Sequence, residues 1–222
     1  MPTDLAAPDP LIDALVADLV AVRPRRWTRE VALLLGLVGV EILVLAAVRG
    51  LRPDLAEAVT GAVFWWKSGG LMLVALLAAA AALVSLDPAT TAPLRASRLW
   101  TIIAVAVPLL LGLGWIFDAG DVGQAPLLAR LDWRAGLDCL VSVVLLSLPP
   151  VAAIGLIMRR GAATQPARTA RAAGLSAAAF GAFVFAFHCP HDDPLYVAVW
   201  YGGAVAVAIL LARIGLPRLT RW

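Results

Sequence analysis

The chain has 222 residues, of which 62% are hydrophobic and only 15% charged, with a mean hydropathy of +0.89 and a formal net charge of +3. Soluble domains carry about 45–50% apolar and about 25% charged residues, and a soluble core of this size could not hide the excess. This composition excludes a soluble globular protein and predicts an all-α integral membrane protein. Its basic excess is almost all arginine, with Lys67 the sole lysine, and reports membrane orientation. Nothing resembles a nucleic-acid-binding module, so no direct nucleic acid contact is expected.

Residues 1–29 read as an N-terminal tail and 30–222 as the transmembrane domain. The tail carries Asp4, Asp9, Asp13 and Asp18 ahead of the first long apolar run. A secretory signal has a basic start and an early apolar stretch, so no cleaved signal is expected. Within the tail, "DPLIDALVADLVAV" over 9–22 predicts a short amphipathic helix. Asp9 suits the N-cap and Pro10 the first turn, where no backbone donor is needed. Leu11, Ile12, Leu15, Val16 and Leu19 recur at helical spacing as one apolar stripe, and "RPRR", beginning at Arg23, ends the helix. The helix is too short to span a bilayer. Its polar face bears aspartates, which anionic lipid repels, so a soluble protein partner is favoured over a lipid surface.

Six apolar segments of spanning length follow: 31–48, 62–86, 99–117, 137–158, 172–188 and 195–213. The gaps carry proline and glycine in "RGLRPD", "LDPATTAP", "FDAGDVGQAP", "RRGAATQPAR" and "HCPHDDP". Alternate loops differ in arginine. One side collects Arg23, Arg25, Arg26, Arg29, Arg95, Arg98, Arg159, Arg160, Arg168, Arg171, Arg213, Arg218 and Arg221; the other has Arg49, Arg52, Arg130 and Arg134. Loops rich in arginine stay cytoplasmic, which predicts both termini inside and "HCPHDD" outside. In the fifth segment Gly174 and Ala178, and Ala177 and Gly181, lie four apart, a spacing that lets helices approach closely in lipid.

Two charges fall within spans. Glu41 in the first and Lys67 in the second lie at similar depths, about 9–12 Å from the outer ends at 1.5 Å per residue. Charges at depth are usually paired, so an intramembrane Glu41–Lys67 ion pair is expected; the alternative is a Lys67 that snorkels outward beside Trp65 and Trp66.

Only two cysteines exist, Cys139 at the outer start of the fourth segment and Cys189 at the outer end of the fifth. Three readings stay open for them: a structural disulfide, a reversible thiol pair, or a zinc or heavy-metal site. In the third reading, His188, His191 and Asp192 are candidate accessory ligands. There is no CxxC, no Ser-His-Asp arrangement, no phosphate loop and no helical HExxH. A quinone-linked disulfide oxidoreductase needs a second thiol pair, so no enzyme is expected and no cofactor beyond that metal ion.

Several stretches together resemble the NrsF family of bacterial six-helix anti-sigma factors. They are "DPLIDALVADLVAVRPRR", "GLRPDLAEAV" with "FWWKS" after it, "HCPHDDPLYVAVWYGG" and the closing "ARIGLPRLTRW"; "SLDPATT" has no firm match. The resemblance implies a multi-pass protein of the bacterial inner membrane whose tail sequesters an extracytoplasmic-function sigma factor. It places the sigma contact around Leu11, Ile12, Leu15, Leu19 and Arg23, and makes Cys139 and Cys189 outward sensors of oxidant or heavy metal. The rival readings are a membrane thiol-redox or metal-handling protein and, further off, a small transporter using Glu41 and Lys67.

Overall fold

A computed structural model of the protein describes residues 14, 16–17, 27–86, 92–118, 126–159 and 165–219. Among these, every regular element is helical: α1 (Trp27–Val48), α2 (Leu55–Ala58), α3 (Ala62–Val84), α4 (Ala92–Asp118), α5 (Leu127–Leu131), α6 (Trp133–Arg159), α7 (Pro166–Ala186), α8 (Pro194–Tyr196) and α9 (Gly202–Leu219). A π-helical turn, Val197–Tyr201, joins α8 to α9. Six helical segments are long and apolar enough to cross a membrane: α1, α3, α4, α6, α7 and the α8–α9 unit. They overlay the six segments read from hydropathy, with ends shifted by a few residues. α4 begins earlier, at Ala92, and accommodates Pro108; α6 carries Pro149 and Pro150 within its length.

Of the tail helix, Ala14, Val16 and Ala17 are helical and exposed. The proposed contact residues Leu11, Ile12, Leu15, Leu19 and Arg23 lie outside the described residues.

The fifth spanning helix is the hub. In α7, 89% of the most apolar stretch is buried, against 50% or less in the other five. Lipid tails are as apolar as leucine, so burial in a membrane does not come from hydrophobicity; it comes from close backbone approach and polar contacts. α7 supplies both, packing on α3, α6 and α9. A Cβ at Gly181 would stand 2.8 Å from the Val143 carbonyl oxygen and 2.9 Å from the Ser147 nitrogen of α6. One at Gly174 would stand 2.9 Å from the Ile209 Cα of α9. Toward α3, the buried Ser176 hydroxyl donates to the Ala75 carbonyl at 3.0 Å. The small-residue spacing of this segment therefore does what its pattern predicts.

α1 leans chiefly on α6 and α7, presenting Leu34, Val38, Glu41 and Leu45 as its buried stripe. It stops at Gly50, whose φ of 81° is the left-handed conformation that ends helices and that glycine adopts without a Cβ penalty.

Gly181→Ala should push α6 and α7 apart, because the neighbouring atoms are backbone and cannot rotate away. We expect a loss of about 1–3 kcal/mol, read as a lower thermal midpoint in detergent. Gly36→Ala, where a Cβ meets nothing within 4 Å, should leave the midpoint unchanged or raise it slightly.

Candidate functional site

The loop 187–193 between α7 and α8 is tied down by charged groups from three other segments. Arg52, which follows α1, is fully enclosed and forks onto two carboxylates. It donates to Asp54 at 2.8 and 2.7 Å and to Asp192 at 2.9 and 3.1 Å. Its backbone amide also holds the Phe187 carbonyl at 3.0 Å. From α3, the buried Lys67 ammonium pairs with the same Asp192 and donates to the carbonyls of Cys189 and His191, each at 3.1 Å. From α5, Arg130 forks onto Asp193 at 2.7 and 2.9 Å. Asp193 does double duty, because its carboxylate accepts from the Leu195 and Tyr196 amides and so caps α8, with Pro194 at the first position.

The histidines are fastened within the same fabric. His188 Nδ1 is 2.8 Å from the Gly50 carbonyl. The His191 ring stacks on Tyr196 at 4.5 Å and 13°. Beside the loop, Arg49 at the end of α1 bonds Asp138 at 2.7 Å and Ser142 at 2.6 Å, tying α1 to α6. The Trp200 indole in the π turn lies against Gly136 and donates to the Leu131 carbonyl at 2.6 Å, fixing α9 to the α5–α6 corner.

Beneath this loop lie the two cysteines. Both are free thiols, buried in one cluster with Trp66, Phe185, Tyr196 and Tyr201. Cys139, in the second turn of α6, adjoins Cys189 within this cluster. That contact holds the Cys189 thiol well below its ordinary value, against burial, which pushes it up. The Lys67 ammonium and the His191 backbone amide add to the lowering. The Tyr196 and Tyr201 hydroxyls are buried with no hydrogen-bond partner among the described residues and lie in the same cluster as the pair. Two thiols in contact, one of them stabilised as thiolate, are equipped to become a disulfide or to take up a soft ion.

Three expectations need correction. Glu41 and Lys67 do not pair. Lys67 is drawn to Asp192 and the loop carbonyls, while Glu41 sits on the stripe that α1 presents to α6 and α7, its carboxyl oxygens without a hydrogen-bond partner among the described residues. Nor does Lys67 snorkel, since its side chain is 0% exposed. Of the candidate accessory ligands only His191 adjoins a cysteine, its Nδ1 3.9 Å from the Cys189 sulfur, while His188 and Asp192 are engaged elsewhere. Among the described residues, no three His, Cys, Asp or Glu side chains converge as a metal ion requires. Asp192 is instead consumed by two cations, and His188 by a backbone carbonyl.

Sequence reasoning also missed Arg52, Arg130, Asp193, Tyr196 and Tyr201. Asp193 carried a usable signal, the same Asp-Pro helix start read at Asp9–Pro10. The arginines carried one as well: the alternation of loops puts them on the same side as two aspartates that need partners.

Asp193→Ala should remove both an α8 cap, worth about 1 kcal/mol, and a largely buried ion pair, worth about 3–5 kcal/mol when broken on one side. With the partial exposure of Asp193, we expect a net loss of about 2–3 kcal/mol in chemical denaturation. Burial opposes ionisation of Asp193, but Arg130 and the two amides outweigh it, and its pKa falls below the ordinary 3.8. Its stabilisation is thus complete above that value and disappears as pH falls through the lowered native one. Asp54, brought down to about 2 by Arg52, follows the same sign. An acid titration of stability should therefore show a loss below pH 4 that shrinks in Asp193→Asn.

A family model described as "Negative regulator of sigma F" (NrsF) matches residues 15–222. A Caulobacter vibrioides protein named "Anti-sigma-F factor NrsF" is 31% identical over 220 residues, covering 96% of this chain and 99% of the relative. An Azospira oryzae protein named "Probable anti-sigma-F factor NrsF" is 29% identical over 196 residues, covering 86% and 88%. No solved structure matches the chain.

Proposed function

The chain belongs to the NrsF family of negative regulators of sigma F, and from that premise we propose that it is a multi-pass anti-sigma factor of the bacterial inner membrane. In this reading, both termini are cytoplasmic and the tail over residues 1–29 sequesters an extracytoplasmic-function sigma factor through Leu11, Ile12, Leu15, Leu19 and Arg23. The thiol pair Cys139 and Cys189 faces outward and senses an oxidant or a thiophilic heavy-metal ion. The protein performs no catalysis and needs no resident cofactor.

One observation carries the coupling. α1 runs unbroken for 22 residues, about 33 Å, from the end of the tail to Arg49 and Arg52, which grip α6 and the loop over the cysteines. A change in the thiol pair thus has a rigid path to the tail. Oxidation joins the two sulfurs with loss of two electrons and two protons to the oxidant and draws α6 toward the α7 end. Such a change moves the sigma factor only if it favours one packing of α1 over another, which is a difference in free energy between two states.

Co-purification is the direct test. The intact protein should bring down one sigma factor, and removal of residues 1–25 should abolish this while the transmembrane domain still folds. Leu15→Ala and Leu19→Ala should each weaken binding at least tenfold, as hot-spot positions on an apolar stripe do. A protein that retains no sigma factor, or retains it without the tail, contradicts the reading and favours a thiol-redox or metal-handling role.

A further inference from the structure

The two cysteines are held in unequal surroundings. Cys139 projects from regular helix α6 into the apolar cluster that both cysteines share. Cys189 sits in the loop, where a cation is anchored beside it. An ammonium has three N–H donors, and those of Lys67 are spent on the Cys189 carbonyl, the His191 carbonyl and the Asp192 carboxylate. With its side chain 0% exposed and its charge 5.8 Å above the Tyr201 ring, Lys67 is a fixed point charge rather than a mobile one. His191 Nδ1 adds a polar atom 3.9 Å from the Cys189 sulfur.

Building on the reading of Cys139 and Cys189 as the sensor, we propose that Lys67 is a positioning residue that makes Cys189 the nucleophilic thiol and leaves Cys139 as the resolving thiol. The thiolate is the reactive form of cysteine, and a cation fixed nearby favours it. Toward a hydroperoxide, the Cys189 thiolate takes the terminal oxygen. The O–O bond breaks, and the alkoxide leaves as alcohol with the proton of that oxygen, giving a sulfenate at Cys189. The sulfenate takes up the proton of the Cys139 thiol, and the Cys139 sulfur then displaces hydroxide. The S–S bond forms, the peroxide having gained the two electrons that the sulfurs lose. The Asp192 carboxylate places the cation and takes no part in the bonds made or broken.

The test is the rate of N-ethylmaleimide addition to each cysteine in the full-length protein, resolved by peptide mass spectrometry between pH 5 and 9. Cys189 should react before Cys139. Lys67→Met should slow Cys189 about tenfold at pH 7 and move its pH profile up by about one unit, while Lys67→Arg keeps most of the rate. Because Lys67→Met leaves Asp192 short of a partner, the Lys67→Met/Asp192→Asn double variant keeps the test sound if the single variant fails to fold. The double variant should show the same shift. A folded Lys67→Met or double variant with the native pH profile, or Cys139 reacting first, overturns the proposal. Sigma-factor release is scored separately: release by oxidant that persists in Cys139→Ser and Cys189→Ser refutes the sensor reading while the labelling order still stands.

Discussion

Asp192 lies between Arg52 and Lys67, and the end of the bundle that carries loop 187–193 is organised around that contact. A lone charge enclosed at the edge of a bilayer has neither water nor lipid to stabilise it, so each must find an opposite at short range. Here three cations, Arg52, Lys67 and Arg130, meet three carboxylates, Asp54, Asp192 and Asp193. Each cation arrives from a different stretch of chain: the end of α1, the start of α3, and α5. Loop 187–193 is the one segment that all three hold. Removing one partner would strand a buried charge, which costs far more than a surface ion pair contributes. The loop therefore has one well-defined seat.

That seat puts the cysteines where they are. Lys67 holds the Cys189 backbone, Asp193 starts α8 and aims Tyr196 and Tyr201 back under the loop, and Cys139 approaches from α6. Below the pair, α7 packs by backbone approach at Gly174 and Gly181, contacts that offer little room for gradual deformation. The ion-paired loop and α1 meet at Arg49 and Arg52, so the helix that continues from the tail is also the one that grips the end carrying the two thiols.

The parts of this legible in the sequence are those set by local composition. Six apolar segments, the small-residue face of α7 and a shared depth for Cys139 and Cys189 follow from hydropathy and spacing alone. Partner choice was not legible, because it depends on which helices adjoin. Glu41 and Lys67 match in depth and sign, yet α1 leans on α6 and α7, so Lys67 finds Asp192 instead. Asp192 read as a candidate accessory ligand and Asp193 had no assigned role, and they proved to be the anchors of the turn, because their partners Arg52 and Arg130 arrive from far along the chain. The tyrosines were hidden for a like reason: no local pattern in "DPLYVAVWYGG" announces the π turn at Val197–Tyr201 that brings Tyr201 round to Cys189.

The central claim is that the state of the thiol pair governs the grip of the tail. It is tested by loading the intact, membrane-reconstituted protein with its sigma factor and timing dissociation with the pair reduced and then oxidised. The account predicts dissociation at least tenfold faster after oxidation, with the difference abolished in Cys139→Ser and in Cys189→Ser. Equal rates in the two states of the native protein would contradict it.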